Sequence, residues 1–394
     1  MIITWVTRAF SNYRIPLFKA LDDISGGNFH LIFSGTVNSP HLIDKVQEIL
    51  GDHAIPLAGE ITIGGVKSDN AAMANSFVRI PFQPGLLRTI LRTRPDVLLS
   101  DGFFQWTYGP LWLRAKYGIP HIMCYERTAY TERNAQWYRT LYRKVVLRWI
   151  DRIICSGTLC GQYIESLGYQ RSKILYGHMV ADVGGLRESI SKMSQTERTR
   201  VREQFRTRYI MLYTGQIIPR KGIRELLNAW RSSLLCNNPD ITLLLIGDGG
   251  QLSDMINLCS GIGINNVNFL GRIPYDDVGS FYAISDAFII PTLEDNWSLV
   301  VPEAMACELP ILSSQYNGCW PELVTKANGW VFDSRDRTAF AECLNAAWCK
   351  REIWKSMGKM SSNILSEHTP QRAAVTLFSA CQTVTHAITQ QKAR

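Results

Sequence analysis

The stretch Pro291–Pro310, P-T-L-E-D-N-W-S-L-V-V-P-E-A-M-A-C-E-L-P, decides how the chain is read. It continues the apolar run Ala287-Phe288-Ile289-Ile290, which predicts a buried strand. A polar turn with two neighbouring carboxylates, Glu294 and Asp295, comes next. Leu299-Val300-Val301 and the helix-forming run Glu303-Ala304-Met305-Ala306 then lead to Pro310, which stops the helix. The pattern is strand, loop, helix, with acids in the loop and at the helix start. In an open α/β sheet, ligands bind beyond the carboxyl ends of the strands, beside helix N-termini. A carboxylate there accepts hydrogen bonds from hydroxyls, while free backbone N–H groups hold an anion. A sugar joined to a diphosphate offers both.

Upstream, Tyr209–Thr214 predicts a strand ended by Gly215. The loop Gln216-Ile217-Ile218-Pro219-Arg220-Lys221-Gly222 then leads into a helix over 223–232. A basic pair just before a helix can clamp a phosphate; the alternative is a solvated charge pair capping a turn. Ile241–Ile246 reads as a fully buried strand followed by Gly247-Asp248-Gly249-Gly250 and a helix from Leu252. The third glycine of G-x-G-x-x-G is missing, which weakens a nicotinamide-cofactor reading. Strands at 267–271, 311–313 and 329–333 complete this half, and helices fill 336–394 with a break at Pro370.

The first half repeats the alternation, with strands at 2–6, 29–33, 96–100, 119–125 and 152–156 and helices between them. Strands alternating with helices predict a parallel, doubly wound α/β sheet. A length of 394 residues favours two domains. The polar stretch after Ala181 lacks buried strands and reads as a linker with a short charged helix. The expected organisation is a first domain over 1–185, a linker over 186–208, a second domain over 209–369, and a helix over 370–394 returning toward the first domain.

Apolar content of 46% and charged content of 19% describe a soluble globular chain. The net charge of +8 suits an anionic partner or a merely basic surface. Ten scattered cysteines form no C-x-x-C and no zinc spacing, which favours a reducing cytosol. No apolar run approaches the roughly 18 residues of a membrane span, so membrane contact would be peripheral. The basic residues are spread out and no nucleic-acid recognition motif occurs, which argues against a nucleic-acid partner. One segment is distinctive. Over 137–152, Tyr138, Leu141, Tyr142, Val145 and Trp149 form one helical stripe, and Arg139, Arg143, Lys144, Arg148 and Arg152 lie largely opposite. Such a helix can lie on an anionic membrane surface; the alternative is a core-facing stripe with a solvated basic face. In the turn after the strand ending at Tyr125, Glu126 or Glu132 can bind an acceptor or act as a base, or both are salt-bridged loop acids.

With these pieces in order, residues 209–335 closely resemble the group four family of retaining glycosyltransferases, which have the GT-B fold. The resemblance rests on Gly215 with Lys221-Gly222, G-D-G at 247–249, F-L-G ending at Gly271, S-D-A and its following proline over 285–291, E-A-M-A at 303–306 and N-G-W-V-F at 328–332. It implies two Rossmann-like domains facing across a cleft, the first binding the acceptor. It also implies two acids separated by seven residues, which Asp295 and Glu303 satisfy, with Glu294 as the rival first acid. By resemblance the first acid contacts the donor sugar and Glu303 holds the nucleotide ribose. The backbone of Asn296, Trp297, Ser298 and Leu299 approaches sugar and phosphate, and Lys221 neutralises the diphosphate leaving group. Gly215, Gln216, Arg220 and Gly271 fall within the same donor-binding frame. Neither a metal nor a cofactor beyond the nucleoside diphosphate sugar is required on this reading. The implied acceptor is a glycan or lipid-linked sugar, and the implied setting is cytoplasmic or on the inner face of the cell membrane. The chain departs from the family in four places: Gln216 where arginine is usual, Glu308 where glycine is usual, Arg8–Arg14 in place of a glycine-rich loop, and Glu126 where many members carry histidine. Two other readings remain, a nucleotide-sugar epimerase of the same fold and a non-catalytic nucleotide-sugar-binding protein.

Overall fold

The computed structural model describes residues 1–63, 80–181 and 183–393. The chain divides into two units. Among the described residues the first unit holds nine strands: β1 (Ile3–Val6), β2 (Phe29–Ser34), β3 (Ala54–Leu57), β4 (Ile61–Ile63), β5 (Ile80–Phe82), β6 (Val97–Asp101), β7 (His121–Tyr125), β8 (Arg152–Cys155) and β9 (Ile174–Tyr176). Seven of them form a parallel sheet in the order β3-β2-β1-β6-β7-β8-β9, while β4 and β5 make a separate antiparallel pair. The central strands are apolar runs because helices cover both faces of the sheet. Trp5, Leu31, Phe33, Val97 and Leu99 are fully buried. The helix Pro370–Ala393 belongs to this unit and adds Ala373, Ala374, Leu377, Ala380, Cys381 and Val384 to the same core.

The second unit holds β10 (Tyr209–Thr214), β11 (Ile241–Ile246), β12 (Val267–Gly271), β13 (Ala287–Ile290), β14 (Ile311–Ser314) and β15 (Gly329–Phe332). These pair in parallel in the order β12-β11-β10-β13-β14-β15. The order turns outward from β10 in both directions. The loops after β10 and β13, neighbours in the sheet, therefore emerge side by side.

Two expectations are corrected. The stretch 186–208, read as a linker with a short charged helix, carries most of two helices, Gly184–Lys192 and Gln195–Glu203, and it belongs to the second unit. A capping box of Ser194 and Glu197 starts the second of these helices. Its Arg202 binds Asp286 at 2.7 Å. Polarity hid the packing because these helices bury little more than Leu186.

The helix Trp137–Val146 does not have the core-facing stripe and solvated basic face that were one of its two expected arrangements. Arg139 and Arg143 are buried, whereas Trp137, Tyr138, Leu141 and Val145 are exposed. The cause is Glu132, buried in the loop after β7. Its carboxylate accepts from Arg143 Nη2 at 2.5 Å and Arg127 Nη1 at 2.8 Å. Arg143 also donates to the Tyr163 hydroxyl at 2.9 Å. A buried carboxylate without a cation is costly, so the arginines are drawn inward and the apolar side faces out. Of the stripe, Tyr142 and Trp149 still pack against the core of this unit, Tyr142 beside Phe104 with ring centroids 5.2 Å apart.

Candidate active site

The site of the second unit is built where the loops after β10 and β13 meet. The loop after β10 passes Gly215 and Gln216 and closes in a short turn at Pro219–Lys221. Gly222 follows with φ 71°, and a Cβ there would lie 2.2 Å from the Pro291 carbonyl oxygen. Only glycine allows both the left-handed backbone and this approach. The Arg220 carbonyl accepts from Leu293 N at 2.8 Å, Thr292 Oγ1 at 3.0 Å and Glu294 N at 3.3 Å. The two loops are thus stapled backbone to backbone, and Lys221 is delivered to the acids.

Lys221 Nζ lies 2.5 Å from Asp295 Oδ2. The same oxygen accepts from Ser298 Oγ at 2.7 Å, and Oδ1 accepts from Trp297 N at 3.3 Å. Burial alone would raise the Asp295 carboxyl; the Lys221 ammonium and the hydrogen bonds from Lys221 and Ser298 outweigh it and hold the carboxyl below its ordinary value. The pair is largely enclosed, with side chains 13% and 8% exposed. Of the two neighbouring acids it is Asp295 that meets Lys221, while Glu294 is buried with its backbone N–H bound to the Arg220 carbonyl.

Glu303 sits in the first turn of the helix Val300–Ala306. Burial pushes its carboxyl up to about 7, opposed by one hydrogen bond from the Tyr282 hydroxyl, at 3.0 Å. Tyr282 is fully buried and its oxygen also lies 2.7 Å from Thr214 Oγ1 at the end of β10. Asp295 and Glu303 therefore sit in contrasting environments, one ionised by a cation and one held near neutrality.

Between the acids, Asn296, Trp297 and Ser298 are buried and Leu299 is half-buried. Gly318 makes room for this loop, since a Cβ there would lie 1.8 Å from the Asn296 carbonyl oxygen. Ser298 N donates to Asn317 Oδ1 at 3.3 Å. The buried Trp297 indole N–H has no hydrogen-bond partner among the described residues. Gly215 and Gly247 touch at the carboxyl ends of β10 and β11, with the Gly215 carbonyl oxygen 1.8 Å from where a Gly247 Cβ would stand. Gly271 ends β12 and accepts from Gly247 N at 2.8 Å. Gln216 is exposed, and its carbonyl accepts from the buried Tyr213 hydroxyl at 2.8 Å.

Sequence reasoning missed Tyr282, Asn317 and Gly318, and it named Ser298 for its backbone but not for its side chain. A serine three residues after Asp295 could have been found as a local acceptor-to-hydroxyl pair. Nothing in linear spacing joins Tyr282 to Glu303. Glu126 lies elsewhere, in the first unit at the end of β7, where its carbonyl accepts from Ser156 Oγ at 3.3 Å. Glu132 is consumed by its two arginines.

Residues 195–363 match the family model described as glycosyl transferases group 1, and residues 50–176 match the model described as glycosyltransferase family 4. The chain belongs to the GT-B glycosyltransferases of the group 1, family 4 type. A GDP-mannose-dependent monoacylated α-(1-6)-phosphatidylinositol monomannoside mannosyltransferase of Corynebacterium glutamicum is 28% identical over 196 residues, which are 46% of this chain and 51% of that protein. The O-antigen chain mannosyltransferase B of Escherichia coli is 31% identical over 132 residues, 33% of this chain and 34% of that protein. The chain thus spans about half the length of these relatives, or less. In fold it is similar to Anabaena HepE in complex with UDP, with a TM-score of 0.69, 14% identity, and coverage of 99% of this chain and 100% of that one.

The family's departures acquire a local meaning. Glu308 has φ 57°, directly after the helix Val300–Ala306, the left-handed position that glycine usually fills. Its carbonyl oxygen lies 1.7 Å from where a Cβ on Gly358 would stand, so the strained turn is packed tightly from the other side. The glutamate side chain itself is exposed.

Proposed function

We propose that this chain is a retaining glycosyltransferase that moves a sugar from a nucleoside diphosphate sugar to an acceptor hydroxyl. The observation that carries the reading is the Lys221–Asp295 pair beside Glu303, a fixed cation and two differently tuned carboxyls on adjoining loops. Asp295 and the loop 296–299 hold the donor sugar. Glu303, when ionised, accepts from the ribose hydroxyls. Lys221, released in part from Asp295, takes up the negative charge that grows on the departing diphosphate, assisted by Arg220. The acceptor hydroxyl attacks on the face from which the diphosphate leaves, and a phosphate oxygen takes its proton. The unpartnered Trp297 indole N–H supports a ligand at this loop, because a buried donor left alone costs about 1–3 kcal/mol.

Mannosyl transfer to a lipid-linked or glycan acceptor is the first variant to test, supported by the names of the two mannosyltransferase relatives. Glu126 is the candidate acceptor-side group of the first unit. Among the described residues no helix is long and apolar enough to cross a membrane, and work on surface polysaccharide or glycolipid would be done from a membrane surface. The test is a thermal-shift panel of UDP-, GDP- and ADP-sugars followed by product analysis. One donor should raise Tm, since it binds only the folded state, and transfer should retain anomeric configuration. An isomerised donor formed without acceptor would instead indicate an epimerase, and binding without turnover a non-catalytic protein.

A further inference from the structure

We propose that the Tyr213 hydroxyl is a positioning group for the donor's diphosphate: it fixes the loop after β10 so that Lys221 stands where the terminal phosphate of the leaving group binds. The inference rests on the reading of Lys221 as the counter-charge of that diphosphate, and it names the group that acts through the lysine.

Tyr213 lies on β10 and is fully buried, so packing accounts for its ring but not for its hydroxyl. A buried hydroxyl is costly unless it is hydrogen-bonded. This one donates to the Gln216 carbonyl oxygen at 2.8 Å. Among the described residues no other donor reaches that carbonyl. Gly215, which precedes Gln216, has φ 146°, and a Cβ on it would lie 2.9 Å from the Tyr213 hydroxyl oxygen. Glycine admits the hydroxyl there, and it also leaves the chain a wide choice of backbone angles. The hydrogen bond to Gln216 removes that choice at the point where the strand becomes the loop.

Beyond Gln216 the loop is held from both sides. Ile217 N donates to the Asp248 carbonyl at 2.9 Å, and the Ile217 carbonyl accepts from Gln251 N at 3.1 Å, which ties it to the loop after β11. The Arg220 carbonyl is stapled to the loop after β13 by Leu293 N at 2.8 Å. Between these ties the turn Pro219–Lys221 carries Lys221 Nζ to 2.5 Å from Asp295. Burial and the Asp295 charge raise the Tyr213 phenol above its ordinary range against the opposing pull of Arg220, so it stays protonated and remains a donor. That both charges act on it places the phenol beneath the junction from which Lys221 meets Asp295. A charge held in place stabilises a developing anion better than one that must first reorganise.

The experiment is calorimetric titration of the full chain with UDP, GDP, UMP and GMP. The native chain is expected to bind one of the diphosphates more tightly than the corresponding monophosphate. Tyr213→Phe keeps the ring and removes the hydroxyl. It should weaken that diphosphate roughly two- to tenfold, the effect of one hydrogen bond, and leave the monophosphate unchanged. In a Lys221→Ala chain the same substitution should cause no further loss, because the hydroxyl acts through the lysine. Replacing Tyr213 with para-aminophenylalanine puts an N–H donor in the hydroxyl's place and should recover most of the affinity. A tyrosine with only a structural role would lower Tm without separating diphosphate from monophosphate, and that result would overturn the proposal. So would undiminished diphosphate affinity in Tyr213→Phe, or an equal loss with and without Lys221; if Lys221→Ala by itself still weakens the diphosphate, the donor reading stands. If Lys221→Ala binds UDP and GDP as tightly as the native chain does, the donor reading fails and this proposal fails with it.

Discussion

Replacing Tyr282 with phenylalanine removes the hydrogen bond that, among the described residues, stabilises ionised Glu303 against its burial. A hydrogen bond to a charged group is worth about 1.5–3 kcal/mol, or roughly 1–2 pKa units. The Glu303 midpoint, about 7 in the native protein, should rise by that amount in Tyr282→Phe. If ribose hydroxyls are held by the carboxylate, donor affinity in the native protein increases as pH rises through about 7 and then levels off. The variant's curve lies to the alkaline side, and at neutral pH its affinity falls roughly five- to fifty-fold. The assay is calorimetric titration with UDP-glucose and GDP-mannose across this range, since neither diphosphate ester titrates there. Stability moves with the opposite sign. A carboxyl raised from 4.5 to about 7 contributes stability that is fully present below 4.5 and lost as pH rises through about 7. Donor affinity that is flat with pH, or an identical midpoint in Tyr282→Phe, would refute the reasoning.

Two further substitutions test the frame around the site. Glu132→Gln leaves Arg143 buried without its counter-charge and should cost about 3–5 kcal/mol, read as a lower urea midpoint; an unchanged midpoint would show that the inward arginines do not depend on Glu132. Glu308→Gly relieves a left-handed non-glycine residue and should raise stability by about 1 kcal/mol, measured as an increase in Tm.

Where strands are buried on both faces, the sequence was easily legible: β10 and β11 run over the residues their apolar runs predict. Edge elements were not. β3 includes Pro56, β9 is only partly buried, and β4 and β5 are three residues each, so none carries a strong pattern. The orientation of the helix Trp137–Val146 was not legible either. Amphipathicity distinguishes two faces but does not say which one a buried Glu132 will attract. In the site, Lys221 and Asp295 are 74 residues apart, yet β10 and β13 are adjacent strands, so motif order plus sheet order brings them together. Tyr282 escaped because it reaches Glu303 from the end of another helix. Glu308 stood out in the sequence without a reason, and its backbone angle supplies one.

The most direct test is transfer from the donor that raises Tm, comparing the native chain with Lys221→Ala and Glu303→Ala proteins that keep native circular dichroism. The account predicts product of retained configuration from the native chain. For Lys221→Ala it predicts kcat lower by about 10²–10³-fold, the effect of removing one preorganised charge-stabilising group. Undiminished transfer by folded Lys221→Ala and Glu303→Ala would contradict it.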